Sequence, residues 1–165
     1  MPSDADELLT GLPPEDLALR NAEAKARSVA AGLSDAVVIG SDTVVALDGV
    51  AYGKPSSELQ AAAMLGSLAG RAHQVHSAVA VVVCSPSGSI SESSAVDTTL
   101  VSFRQLSGCQ IDAHLALGEW RGRAGGYAIQ ESGHELVESL EGSLDTVVGL
   151  PMEILRSLLP VAVQP

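Results

Sequence analysis

The chain has 165 residues, 46% of them hydrophobic, enough apolar material for one folded domain with its own core. Its formal net charge of −11, from 9 Lys and Arg against 20 Asp and Glu, opposes the basic face that a nucleic-acid backbone requires, whereas a small phosphorylated ligand held by a few convergent cations remains compatible. One Trp, two Tyr and one Phe leave a core of Ala, Val, Leu and Ile, and few stacking platforms for single-stranded nucleic acid.

The opening MPSDADELL is acidic and lacks the basic-then-apolar pattern of a secretory signal. The longest apolar run, Ala78 to Cys84, falls far short of the ~20 residues that span a bilayer, so a cytoplasmic protein without a membrane partner is expected. Cys84 and Cys109, with no C-x-x-C and no His pair at helical spacing beside them, are read as reduced thiols rather than a zinc site or a disulfide framework.

In chain order, Pro13-Pro14-Glu15-Asp16 followed by LALRNAEAKARSVAAGL predicts a helix, with acids in the first turn and Gly32 as its stop. AVVIGSDTVVAL is β-branched and apolar on either side of Ser41-Asp42-Thr43 and predicts a strand. After the turn LDGVAYGKP, the segment SSELQAAAMLGSLAG predicts a second helix, with Ser57 and Gln60 at capping-box spacing and Gly70 closing it.

HQVHSAVAVVVCS and ISESSAVDTTLVSF flank Pro86-Ser87-Gly88 and predict a long hairpin. SGCQIDAHLALG, capped by Ser107 and Gln110, predicts a third helix. RGRAGGYAIQ is glycine-rich, HELVESLEGSLDTVVGL has weak strand patterning, and LPMEILRSLL predicts a terminal helix with Pro151 in its first turn. Alternating strands and helices give an α/β class, and the hairpin requires a mixed rather than wholly parallel sheet. No linker, repeat or low-complexity tract divides residues 1–165, so a single domain is expected.

Asp42 is the most informative residue. An acid inside an apolar strand costs several kcal/mol unless it meets a cation, a metal or hydrogen-bond donors. It is either a salt-bridged acid near a strand end or part of a site. Lys54 in Gly53-Lys54-Pro55 follows a short loop later, where it is an ordinary turn lysine or a cation opposite Asp42 suited to phosphate. This segment lacks the glycine spacing and the following Ser or Thr of a P-loop, which is rejected.

In Gly125-Gly126-Tyr127-Ala128-Ile129-Gln130, the glycines either allow close backbone approach to a ligand or merely form a tight turn. Gln130, with both a donor and an acceptor, is suited to a base edge if it is not solvated. Asp48 is followed by Gly49 and Val50, so the D-x-D of an aspartyl phosphatase is absent. His73 and His76, at i and i+3 on a strand, point to opposite faces and are read as structural.

The ordered set GSDTVVALDG, YGKP, LAGRAHQVHSAV, TLVSFRQL, RAGGYAIQ and GSLDTVVGLP resembles the Maf family of nucleoside triphosphate pyrophosphatases over nearly the whole chain. The resemblance implies a fold like that of the inosine triphosphate pyrophosphatases, a long twisted mixed sheet around a cleft with flanking helices, often in a homodimer. It also implies hydrolysis of a nucleoside triphosphate to monophosphate and pyrophosphate with a divalent cation, Mg or Mn. Asp42 matches the family's proton acceptor, Lys25 in NAEAKA and Lys54 match lysines near the triphosphate, and Glu7 matches a pocket acid that would hold the metal with Asp42. Thr43 and Gln130 match the selectivity positions of the branch acting on dTTP and UTP.

Family members begin with a strand and an S-x-R-R loop whose backbone and arginines hold phosphate. No S-x-R-R occurs in these 165 residues, so the domain is expected to be N-terminally truncated relative to the family. Two functions therefore stand at this point: a dTTP/UTP pyrophosphatase, or a catalytically silent Maf-like binding or cell-division regulatory protein. Asn21 and His114 are two lesser departures from the family pattern and are expected to lie away from the chemistry.

Overall fold

A computed structural model describes residues 11–160. The first helix, α1 (Pro14–Ala30), has Pro at its first position, Glu15 and Asp16 in its first turn, and Gly32 at positive φ just past its end. Strand β1 (Ala36–Leu47) spans the whole apolar segment, including the polar triplet. A three-residue strand, β2 (Val50–Tyr52), too short to show any periodicity, lies in what the sequence presents as a turn.

Helix α2 (Glu58–Leu68) starts at Ser57, whose hydroxyl accepts from the Gln60 N–H at 3.2 Å. The hairpin consists of β3 (Ala72–Cys84) and β4 (Ile90–Phe103). Helix α3 (Gly108–Leu117) has the full reciprocal capping box of Ser107 and Gln110. The expected weak strand over residues 134–150 divides. Only β5 (Val137–Glu141) is extended, and Leu144–Val148 forms a short helix, α4, ended by Gly149 at φ +113°. In α5 (Met152–Leu158), Pro151 occupies the N-cap rather than the first turn.

The sheet order is β2-β1-β3-β4-β5. All four pairings among the described residues are antiparallel, and no parallel pair of the expected mixed sheet lies among them. The α/β class itself is as expected. β2 reverses the chain before α2 begins, so that α2 crosses over from β2 to a β3 running parallel to it, with β1 between them and antiparallel to both.

Side-chain alternation then sorts the core into two faces. Val38, Val44, Ala78, Ala80 and Val82 pack under α1 against Leu17, Ala18, Ala22 and Ala26. Val45, Val75, Val101 and Phe103 face Leu65 and Leu68 of α2, Leu115 of α3, Trp120 and Tyr127 on the other side. No helix among the described residues is long and apolar enough to cross a membrane.

Candidate active site

The position of Asp42 follows from one glycine. At Gly40 an added Cβ would fall 2.4 Å from the Ala22 carbonyl oxygen and 2.8 Å from the Ala26 amide, so α1 lies against the bare backbone of β1. Ala18, Ala22 and Ala26 are fully buried along that contact. Asn21 and Lys25, one turn apart on the same side of α1, reach the residue two positions beyond Gly40. Asn21 Nδ2 donates to Asp42 Oδ2 at 3.1 Å, and Lys25 Nζ donates to Asp42 Oδ1 in a short ion pair. Asp42 is only 7% exposed, and these two donors offset its desolvation. Asn21, expected to lie away from the chemistry, is therefore in direct contact with Asp42.

Asp42 borders an open cavity of about 250 Å³. Ser41, Thr43 and Val45 of β1 line it together with Val75, Lys54, Arg123, Tyr127, Gln130 and the Val147–Gly149 segment. A second recess, of about 10 Å³, lies on the α1 side between Asn21, Asp42 and Lys54, with space for about one water molecule. The structure thus gathers Asp42, Thr43, Lys54 and Gln130 around one space and sets Lys25 against Asp42. Glu7 lies outside the described residues.

The glycine-rich turn contributes differently from its two sequence-level alternatives. Residues 124–126 form a 3-10 turn, with Gly125 and Gly126 at φ +69° and +81°, and no strand follows directly. A Cβ on Gly125 would meet Val45 Cγ1 at 3.1 Å, so its close approach is to β1 and not to a ligand. The Gly125 N–H donates to the Gly53 carbonyl at 3.2 Å, which ties this turn to the loop carrying Lys54. His114, buried at 4% exposure, has Nε2 3.1 Å from the Gly126 oxygen and fixes the turn from behind, away from Asp42.

Arg123 lines the cavity and donates to Glu131 at 2.7 Å, whereas Arg121 stacks over Trp120 at 4.5 Å from the ring centroid. Sequence alone does not separate these two arginines.

Thr43 is held by a row of hydroxyls. Thr43, Ser77 and Asp97 are register partners across β1, β3 and β4. Thr43 Oγ1 and Ser77 Oγ are 2.7 Å apart, Ser77 Oγ donates to the Thr146 carbonyl at 2.6 Å, and the Thr146 hydroxyl donates to Asp97. Ser41 Oγ donates to the Gly149 carbonyl at 2.7 Å, so α4 and its cap are bonded onto the cavity floor.

The two strand histidines lie on opposite faces and serve the core, as expected. His73 Nε2 is 2.8 Å from the Tyr127 hydroxyl, edge-on to Phe103, and burial lowers its pKa to about 4. His76 pairs with Thr98 at 2.8 Å, and burial lowers its pKa too. Burial raises the pKa of Tyr127. Among the described residues no three His, Cys, Asp or Glu side chains converge as metal ligands. Among the described residues Asp42 alone offers a carboxylate at the cavity, with lone pairs beyond those taken by Asn21 and Lys25.

Comparison with known proteins extends this picture. The family model for Maf-like protein matches residues 1–162. The dTTP/UTP pyrophosphatase of Moorella thermoacetica is 45% identical over 161 residues, covering 97% of this chain and 81% of that protein. Those of Deinococcus radiodurans and Novosphingobium aromaticivorans are 42% and 43% identical, over 88% and 97% of this chain and 72% and 78% of their own lengths. With a match across nearly every residue and this level of identity, the chain belongs to the Maf-like protein family.

Proposed function

We propose that the chain hydrolyses dTTP and UTP to the monophosphate and pyrophosphate, with Asp42 as the proton acceptor. The observation that carries this is the placement of Asp42. It is a nearly buried carboxylate fixed by Asn21 and Lys25 at the wall of a cavity that also presents Thr43, Lys54 and Gln130. A water attacks the α-phosphorus and gives its proton to Asp42 as the bond to the β-phosphate bridging oxygen breaks, releasing pyrophosphate. Lys54 offsets the negative charge of the phosphates. Gln130 offers both a donor and an acceptor to the pyrimidine edge.

A Mg²⁺ or Mn²⁺ ion is ordinarily held by one or two carboxylates plus substrate phosphates, and Asp42 fits that donor set, with Glu7 as its proposed companion. The ion would supply charge neutralisation at the phosphates. A cytoplasmic location accords with the free thiols of Cys84 and Cys109, and a homodimer is proposed on the family resemblance.

The experiment compares dTTP and UTP turnover by the parent and by Asp42→Asn, with and without added Mg²⁺. Each is assayed as the 165-residue chain. Asp42→Asn should keep the fold and lower turnover by ~10²-fold or more. Equal turnover by Asp42→Asn would remove its role. Nucleotide binding without turnover by the parent would instead mark a silent binding protein.

A further inference from the structure

Thr43 carries one hydroxyl proton, and the structure fixes where it goes. A serine hydroxyl has a single hydrogen, and a carbonyl oxygen only accepts. At 2.6 Å, Ser77 Oγ and the Thr146 carbonyl oxygen would repel unless the Ser77 hydrogen lay between them. Ser77 has then no proton left for Thr43, so in the 2.7 Å contact Thr43 is the donor and Ser77 the acceptor. Thr146 is in turn held by its hydroxyl bond to Asp97, and neither Ser77 nor Thr146 has measurable exposure. No water competes for these bonds, and the direction of the chain is set.

We propose that Ser77, anchored through Thr146 and Asp97, is a positioning residue for substrate selection: it commits the Thr43 proton inward, so that Thr43 meets the ligand only as a hydrogen-bond acceptor. The proposal rests on the dTTP/UTP function proposed above. On the pairing edge of uracil and thymine the ring N3–H is the only donor, flanked by two carbonyl acceptors. In cytosine the ring N3 is itself an acceptor. An acceptor-only Thr43 therefore accepts from the imino group of a uracil-type base and repels the bare N3 of cytosine. A freely rotating threonine hydroxyl would turn its hydrogen outward and tolerate both. Gly149, whose added Cβ would stand 3.0 Å from Thr43 Oγ1, leaves the other side of this oxygen open to the cavity.

The test measures kcat/KM for UTP and CTP in the parent, Ser77→Ala and Thr43→Val, together with thermal melting. Ser77→Ala should lower the UTP-over-CTP preference by about tenfold, mainly by improving CTP, since the released Thr43 hydroxyl can donate to N3. A purely structural defect at this buried site would depress both substrates alike and leave the ratio unchanged. Ser77→Cys, close in volume with a much weaker acceptor, serves if Ser77→Ala does not fold and should shift the ratio in the same direction. An unchanged UTP/CTP ratio in the folded Ser77 variants, with Thr43→Val altering it, would overturn the proposal. A parent protein that favours neither UTP nor dTTP would instead overturn the underlying function.

Discussion

Substituting Gly40 by Ala tests the link between packing and the site. The new Cβ would stand 2.4 Å from Ala22 O, 2.8 Å from Ala26 N and 2.9 Å from Ala26 Cβ, where ordinary contact begins at 3.4 Å. Two of these three atoms belong to the α1 backbone, so no rotamer change relieves the clash, and α1 must move off the sheet by about 1 Å, the difference between 2.4 and 3.4 Å. Overpacking of this kind costs ~1–3 kcal/mol, a loss of about 2–12 °C in melting temperature for a domain of this size. The same movement lifts Asn21 and Lys25 away from Asp42, and a misplacement of ~1 Å costs on the order of 10²-fold in rate.

Thermal melting and dTTP turnover at saturating substrate read the two effects separately. Gly66→Ala is the control: this glycine lies in the last turn of α2, two residues before its end, with nothing within 4 Å of an added Cβ. It should gain about 0.5–1 kcal/mol from helix propensity and keep its activity. If Gly40→Ala melts within a degree of the parent and turns over dTTP at the parental rate, the close seating of α1 does not organise Asp42.

Two further outcomes are expected. His73 has its folded pKa lowered by burial to about 4, below the unfolded value of 6.5, so between these values the unfolded chain binds the extra proton. Stability should fall as pH drops from about 6.5 towards about 4, by about 3 kcal/mol from this group. His76 shifts the same way. Urea midpoints across that range measure the loss, and a curve that His73→Leu leaves unflattened would assign it elsewhere. Gln130→Glu replaces an amide that both donates and accepts by a group that only accepts. It should reduce UTP and dTTP turnover relative to 7-methyl-GTP, and unchanged relative rates across these nucleotides would take Gln130 out of base recognition.

The sequence by itself determined the local parts. Ser107 and Gln110 announce α3 because a capping box joins residues three apart, and residues 36–47 announce β1 because β-branched, apolar composition is itself local. Asp42 stands out as a residue needing partners, since the cost of burying an acid is a property of the acid and its immediate neighbours. The order of GSDTVVALDG, YGKP and RAGGYAIQ was sufficient to indicate the family.

Only the tertiary structure decided who the partners are. Asn21 and Lys25 reach Asp42 across 21 and 17 residues because Gly40 lets α1 approach β1, a contact that no period of the sequence encodes. The direction of β3 turned on β2, whose three residues are too few to show alternation. Arg123 and Arg121, two positions apart in one loop, parted because the loop path sends one side chain to the cavity and the other onto Trp120. The polarity of Thr43 was fixed from Thr146, more than a hundred residues away, because a hydroxyl has one proton and the antiparallel register sets Ser77 between them.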